Sequence, residues 1–261
     1  LKRHGYFSMN MVTTRGCPYH CNWCAKPIWG QRYNSRSPEN VVAEMKWLKE
    51  NWQWVVLNLF ALAIMANLLW HVTTASELDQ GYDLLFLSSG KWAIRFLLLS
   101  LLMTPLNTLL GWRSAIKLRR PAGLWAFEFA LLHFLLNVTV TWEYWPQTPI
   151  PDYIAALGVI GLSILTLMAA TSFRWAMKHM GKWWKRLHRL VYAAGMIIVG
   201  HALLEAANKR VAVYDSQAGI EIGLYLALLV LLLAVRIPTI RSALANLRYK
   251  QGVGREVISQ K

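Results

Sequence analysis

LHRLVYAAGMIIVGHALLEA, residues 187–206, carries charge or an imidazole only at His188, Arg189, His201 and Glu205. A helix rises 1.5 Å per residue, so a run of about 20 mostly apolar residues crosses the roughly 30 Å of bilayer hydrocarbon. This stretch therefore reads as a membrane span with one histidine near each of two levels. Five other runs pass the same test, at about 53–72, 90–110, 122–142, 153–172 and 218–236. Backbone groups in lipid must be satisfied within their own segment, which makes each run a helix. The expected fold is an all-α membrane protein, a six-transmembrane-helix bundle.

Composition agrees with that reading. Hydrophobic residues make up 56% of the 261 positions in spite of 28 Lys and Arg, and the formal net charge is +15. Such a charge could suit nucleic acid, but here the basic residues sit between the apolar runs, as they do in cytoplasmic loops. No nucleic-acid partner is expected. Residues 1–52 are polar and basic and form a separate N-terminal segment; the membrane domain spans 53–240, and 241–261 is a basic cytoplasmic tail.

Loop charge sets the orientation. The connection at 111–121 holds Arg113, Lys117, Arg119 and Arg120, and that at 173–186 holds Arg174, Lys178, Lys182, Lys185 and Arg186. The alternate connections hold Glu77, Asp79 and Asp83, or Glu143 and Asp152, with few basic residues. Lys and Arg accumulate inside, so the N- and C-termini are both expected in the cytoplasm, with the chain in a bacterial inner membrane.

Ionisable residues inside spanning helices are costly and raise a functional hypothesis. His133 lies about 16 Å and His201 about 21 Å from the inner ends of their helices, a difference of about one turn. Two imidazoles at similar depth can clamp a haem iron from both faces, an arrangement suited to electron transfer because no axial position stays open. The alternative is that each histidine only hydrogen-bonds across a helix interface. His188 precedes His201 by thirteen residues, about 20 Å of helix, and one haem cannot use both. His71 and His179 read as interfacial or solvated residues.

The runs SSGKWAIRFLLLSLLMTPL, GWRSAIKLRRPAGLWAFEFALLHF and TSFRWAMKHMGKWWKRLHRLVYAAGMIIVGHALLEAANK carry a resemblance. Over about residues 54–250 the chain resembles the MsrQ family, haem-binding membrane subunits of the periplasmic methionine sulfoxide reductase system within the ferric-reductase-like transmembrane group. The resemblance implies a six-helix bundle holding haem b that passes electrons from quinol or flavin, with a quinol or flavin reductase as donor. The acceptor it implies is a periplasmic molybdenum-containing reductase subunit, where the sulfoxide-reducing chemistry would take place. Position by position it implies His133, His188 and His201 as haem-linked histidines. It also implies contacts from Arg119 and Arg120, in KLRRPAGL, with the phosphate of FMN or with haem propionates; the alternative is that both are simply positive-inside residues. It implies no catalytic residue in this chain.

All three cysteines, Cys17, Cys21 and Cys24, fall in TTRGCPYHCNWCAKPIWG, residues 13–30. Disulfides would leave one thiol over, and a structural zinc site would need a fourth ligand. The C-x3-C-x2-C spacing lets three thiolates of one loop hold three irons of a [4Fe–4S] cluster. With its flanks, VTTRGCPYHCNWC and RYNSRSPENVVAEMKWLKEN, the segment resembles the cluster-binding start of radical S-adenosylmethionine enzymes. That resemblance implies a short N-terminal fragment of a radical SAM β/α barrel. The further β/α units needed to bind S-adenosylmethionine and enclose a radical are absent, because the chain enters its first apolar run instead. The expectation is a truncated segment ahead of an electron-transfer domain; the alternative is a fusion in which the iron–sulfur cluster is functional.

Overall fold

The structure, a computed structural model, describes residues 12–15, 34–74, 78–143, 153–207, 218–240 and 242. The chain divides into two compact units, Leu1–Val55 and Val56–Lys261. In the first, β1 (Thr14–Arg15) pairs antiparallel with β2 (Asn34–Ser35), Thr14 opposite Ser35 and Arg15 opposite Asn34. Arg36 prolongs the pairing by donating its N–H to the Thr13 carbonyl at 2.9 Å and forms an ion pair with Glu44. Helix α1 (Pro38–Thr74) starts at Ser37, whose Oγ accepts the Asn40 N–H at 3.3 Å, with Pro38 at the first helical position. Both are ordinary helix-start signals.

The expected barrel fragment finds no support in the described residues. A β/α barrel is built from parallel strands joined by crossover helices, whereas the described strands are an antiparallel pair of two residues each, followed by a helix that runs on into an apolar span. The described residues thus give the barrel no support. Cys17, Cys21 and Cys24 lie outside them.

In the second unit, α1 is followed by α2 (Leu78–Leu110), α3 (Ala115–Glu143), α4 (Tyr153–Ala170), α5 (Arg174–Met180) and α6 (Lys182–Leu187). A 3-10 turn at His188–Leu190 then leads into α7 (Val191–Ala207), and α8 (Ala218–Ala234) ends the described bundle. Helix α2 packs along α3, α4 packs along α7, and α8 packs on α7 and α2. Gly111, with φ of 68°, ends α2 in the left-handed region that glycine adopts without strain.

Among the described residues, five helical stretches are long and apolar enough to cross a membrane: Pro38–Thr74, Gly81–Leu110, Ala115–Val138, Tyr153–Ala170 and Lys182–Ala207. The expected sixth span, 218–236, is an apolar helix of 17 residues, shorter than the other five. It covers about 25 Å, because Pro238 lies just beyond its end. Among the described residues length thus supports five spans, and the expected sixth is not confirmed. Helices α2 and α3 begin earlier than their apolar runs, since a helix can continue into the polar interface where its backbone is still satisfied.

Lipid offers no hydrophobic force to hold helices together, so close van der Waals packing has to do it. Small residues permit the close approach: Ala122, Ala126 and Ala194 are fully buried, and Gly195 would place a Cβ 3.3 Å from Leu229. Phe96 stacks on Phe129 at 5.5 Å in the centre of the same core. Leu59, Phe60, Leu62 and Trp70 of α1 are exposed, which in a membrane means exposed to lipid.

Candidate functional site

A cavity of about 400 Å³ lies between α2, α3, α4 and α7, and α8 adds Ile222 to its wall. His133 of α3 and His201 of α7 both line it. His133 Nδ1 donates to the Phe86 carbonyl at 2.9 Å, and His201 Nδ1 donates to the Ile154 carbonyl at 2.8 Å. A carbonyl can only accept, so each Nδ1 carries the hydrogen and each Nε2 keeps its lone pair. The Phe86 carbonyl also accepts from the buried Ser89 hydroxyl at 2.8 Å, and the Phe86 ring stacks on His133 at 4.3 Å.

The two halves repeat one arrangement. Each histidine bonds a carbonyl 47 residues earlier, and four residues after each carbonyl stands a glycine, Gly90 or Gly158. A Cβ on Gly90 would come within 3.1 Å of the His133 ring, and one on Gly158 within 3.2 Å of the His201 ring. Glycine at both positions thus lets the rings lie close against α2 and α4, where a larger residue would press on them. The remaining wall is mostly apolar, with Leu87, Ile94, Phe134, Val159 and Leu162, while Asp83, Asn137, Glu205 and Lys91 supply its polar groups.

His188 is elsewhere. It sits in the 3-10 turn, its Nε2 3.2 Å from the Thr171 hydroxyl and its ring 4.1 Å from that of Trp184, and it does not line the cavity. Arg119 is half-buried near the start of α3, where its carbonyl accepts from Ser100 Oγ at 2.9 Å; it is an electrostatic neighbour of His188 and Arg236. Arg120 is exposed. The structure therefore brings His133 and His201 together and leaves His188, Arg119 and Arg120 at the other end of the bundle. Among the described residues no group of three or more His, Cys, Asp or Glu side chains converges as an ion-binding cage.

Sequence reasoning passed over a charged cluster beside the cavity. Lys91 Nζ lies 2.8 Å from Glu221 Oε2, Arg95 Nη2 lies 2.5 Å from Glu221 Oε1, and Arg95 Nε donates to the Tyr225 hydroxyl at 2.7 Å. The signal was present: Lys91 and Arg95 are four residues apart in one apolar run, as are Glu221 and Tyr225 in another, so each pair shares a helix face.

The described cavity has two imidazole nitrogens, His133 Nε2 and His201 Nε2, that could ligate a metal carried by a bound group. It offers two imidazoles with fixed tautomers, an apolar wall, and glycines where a side chain would displace either ring. Comparison with known proteins points the same way. Residues 89–199 match the family described as ferric reductase like transmembrane component. The chain is similar to the protein-methionine-sulfoxide reductase heme-binding subunit MsrQ of Bordetella pertussis, with 36% identity over 151 residues, 54% of this chain and 69% of that protein. It is also similar to the subunit of the same name from Brucella ovis, with 38% identity over 109 residues, 40% of this chain and 49% of that protein. No solved structure matches the chain. The family match leaves residues 1–52 uncovered, and the radical SAM resemblance there draws no support from these comparisons. Five apolar helices together with these matches make this a multi-pass membrane protein.

Proposed function

The chain belongs to the MsrQ family of heme-binding subunits, and from that premise we propose that it is a membrane electron-transfer subunit holding haem b between His133 and His201. The observation that carries this reading is the doubled arrangement of imidazole, backbone carbonyl and glycine around one cavity. Haem supplies reversible one-electron chemistry when bound, and two axial imidazoles would leave its iron no open position for oxygen or substrate.

The residues of the chain prepare that site. The Nδ1–H bonds to Phe86 and Ile154 hold both rings in one orientation and make each Nε2 a better donor. Gly90 and Gly158 let the rings seat against α2 and α4. The apolar wall keeps water out and the local dielectric low, which tunes the potential of a bound centre. His188 has no ligand role at this site, since it lies thirteen residues, about 20 Å, from His201.

The basic loops at 111–121 and 173–186 support a cytoplasmic position for the end of α2 and the start of α3 near Arg119, and for the N- and C-termini with them. Electrons would enter there from quinol or a reduced flavin, with Arg119 and Arg120 available for the phosphate of FMN. They would leave outward to a periplasmic methionine sulfoxide reductase carrying molybdenum.

The test is the spectrum of detergent-purified protein. After dithionite it should show a b-type band that His133→Ala and His201→Ala each abolish and His188→Ala leaves in place. A spectrum unchanged in the first two variants overturns the site.

A further inference from the structure

The repeat that frames the cavity is broken at one place by a charge. Gly90 and Gly158 correspond, but the residue after Gly90 is Lys91 and the residue after Gly158 is Val159, and both line the cavity. We propose that Lys91 is the binding group for a carboxylate of the cavity's ligand, a haem propionate on the reading above, on which this inference rests.

Three observations support it. Lys91 follows the glycine against which His133 lies, and it lines the same cavity as that histidine. It is held there from outside the cavity by Glu221 at 2.8 Å, and Arg95 takes the other oxygen of the same carboxylate at 2.5 Å. Glu221 has Arg95 as a second cation, and an ammonium carries three N–H donors, so the ion pair with Glu221 does not by itself exhaust Lys91. The other charged groups on the wall, Asp83 and Glu205, are anionic and would repel a carboxylate, which directs it to Lys91.

Distance excludes the arginines for this role. Arg119 precedes His133 by fourteen residues of α3, about 21 Å along the axis, and Arg120 by thirteen. Those arginines are left for a ligand at the cytoplasmic end. Because Val159 faces the cavity where the repeat would place a second cation, the carboxylate edge of the ligand has one preferred direction.

The experiment reconstitutes the full-length apoprotein in detergent with protohaem or with its dimethyl ester, in which both propionates are neutral, and measures haem retained and its dissociation rate. Wild-type protein should prefer protohaem by on the order of tenfold, Lys91→Arg should keep that preference, and Lys91→Gln should lose it. The reduced bis-imidazole spectrum should be the same in all three. A wild-type protein that holds the ester as well as the free acid overturns the proposal without any variant, as does an undiminished preference in Lys91→Gln. A wild-type protein that gives no bis-imidazole spectrum with either haem instead overturns the haem reading, and the proposal with it.

Discussion

His133 and His201 enter one cavity by the same device: each donates Nδ1–H to a backbone carbonyl 47 residues upstream, on the helix packed against its own. The helix pair α2 and α3 thus presents its imidazole as α4 and α7 present theirs. A backbone carbonyl cannot be removed by mutation, so both tautomers are fixed by main chain. What a substitution can disturb is the surface on which each ring lies.

That surface gives the first prediction. Gly90→Ala or Gly158→Ala introduces a Cβ at 3.1 Å or 3.2 Å from an imidazole atom, closer than ordinary contact. Overpacking of this kind costs about 1–3 kcal/mol, and here the ring must absorb it because both helices are packed. Haem content of the purified protein should fall several-fold in each variant. Gly200→Ala, where nothing lies within 4 Å of the added atom, is the control and should bind as wild type.

A second prediction concerns the spacing of α4 and α7. A Cβ on Gly161 would sit 2.6 Å from Ile198 Cγ1, which no small adjustment relieves. Gly161→Ala should lower the thermal midpoint in detergent and reduce haem content, because Ile198 also lines the cavity. Ile198→Ala removes the opposing atom, so the double variant should recover most of the loss. A double variant as impaired as Gly161→Ala alone would mean that the contact is not the cause.

The ion pairs beside the cavity supply a third. Glu221 serves both Lys91 and Arg95, and its side chain is 26% exposed, so part of each attraction is screened. Glu221→Gln keeps the size and one hydrogen-bonding oxygen but withdraws the charge from two cations. A loss of about 1–2 kcal/mol is expected in chemical or thermal unfolding, with Lys91→Gln and Glu221→Gln costing less together than the sum of each alone.

Five of the spans and the two cavity histidines were legible in the sequence because both follow from simple rules: run length in lipid, and the cost of an imidazole at mid-depth. His188 shows where the rules stopped. Spacing along the helix separated it from His201, but only the fold shows that it ends in a turn against Thr171 and Trp184. The partners of the histidines were illegible for a different reason. Phe86 and Ile154 act through carbonyls, which every residue possesses, and Gly90 and Gly158 act through a missing atom. The Lys91, Arg95 and Glu221 cluster joins residues more than 120 positions apart, so each half looked like an isolated charge. The shortness of α8 was hidden because an apolar run measured on the sequence includes Val235 and Arg236, which lie beyond its last helical residue.

Arg236 itself carries the last prediction. Pro105 lies inside α2 and has no N–H, so the carbonyl of Leu101, four residues before it, loses its helical donor. Arg236 Nη2 donates to that carbonyl at 2.6 Å, while Nη1 binds the Tyr192 hydroxyl and the guanidinium lies 4.8 Å from the Tyr192 ring centre. An unsatisfied carbonyl in lipid costs on the order of 1–3 kcal/mol, so Arg236→Met should destabilise the bundle by about that amount. Pro105→Ala restores an N–H to Leu101 and makes the arginine's donor redundant there. In the Pro105→Ala background the same Arg236→Met change should therefore cost clearly less, as read from unfolding midpoints of the four proteins in one detergent. Equal costs in the two backgrounds would show that Arg236 acts through Tyr192 alone.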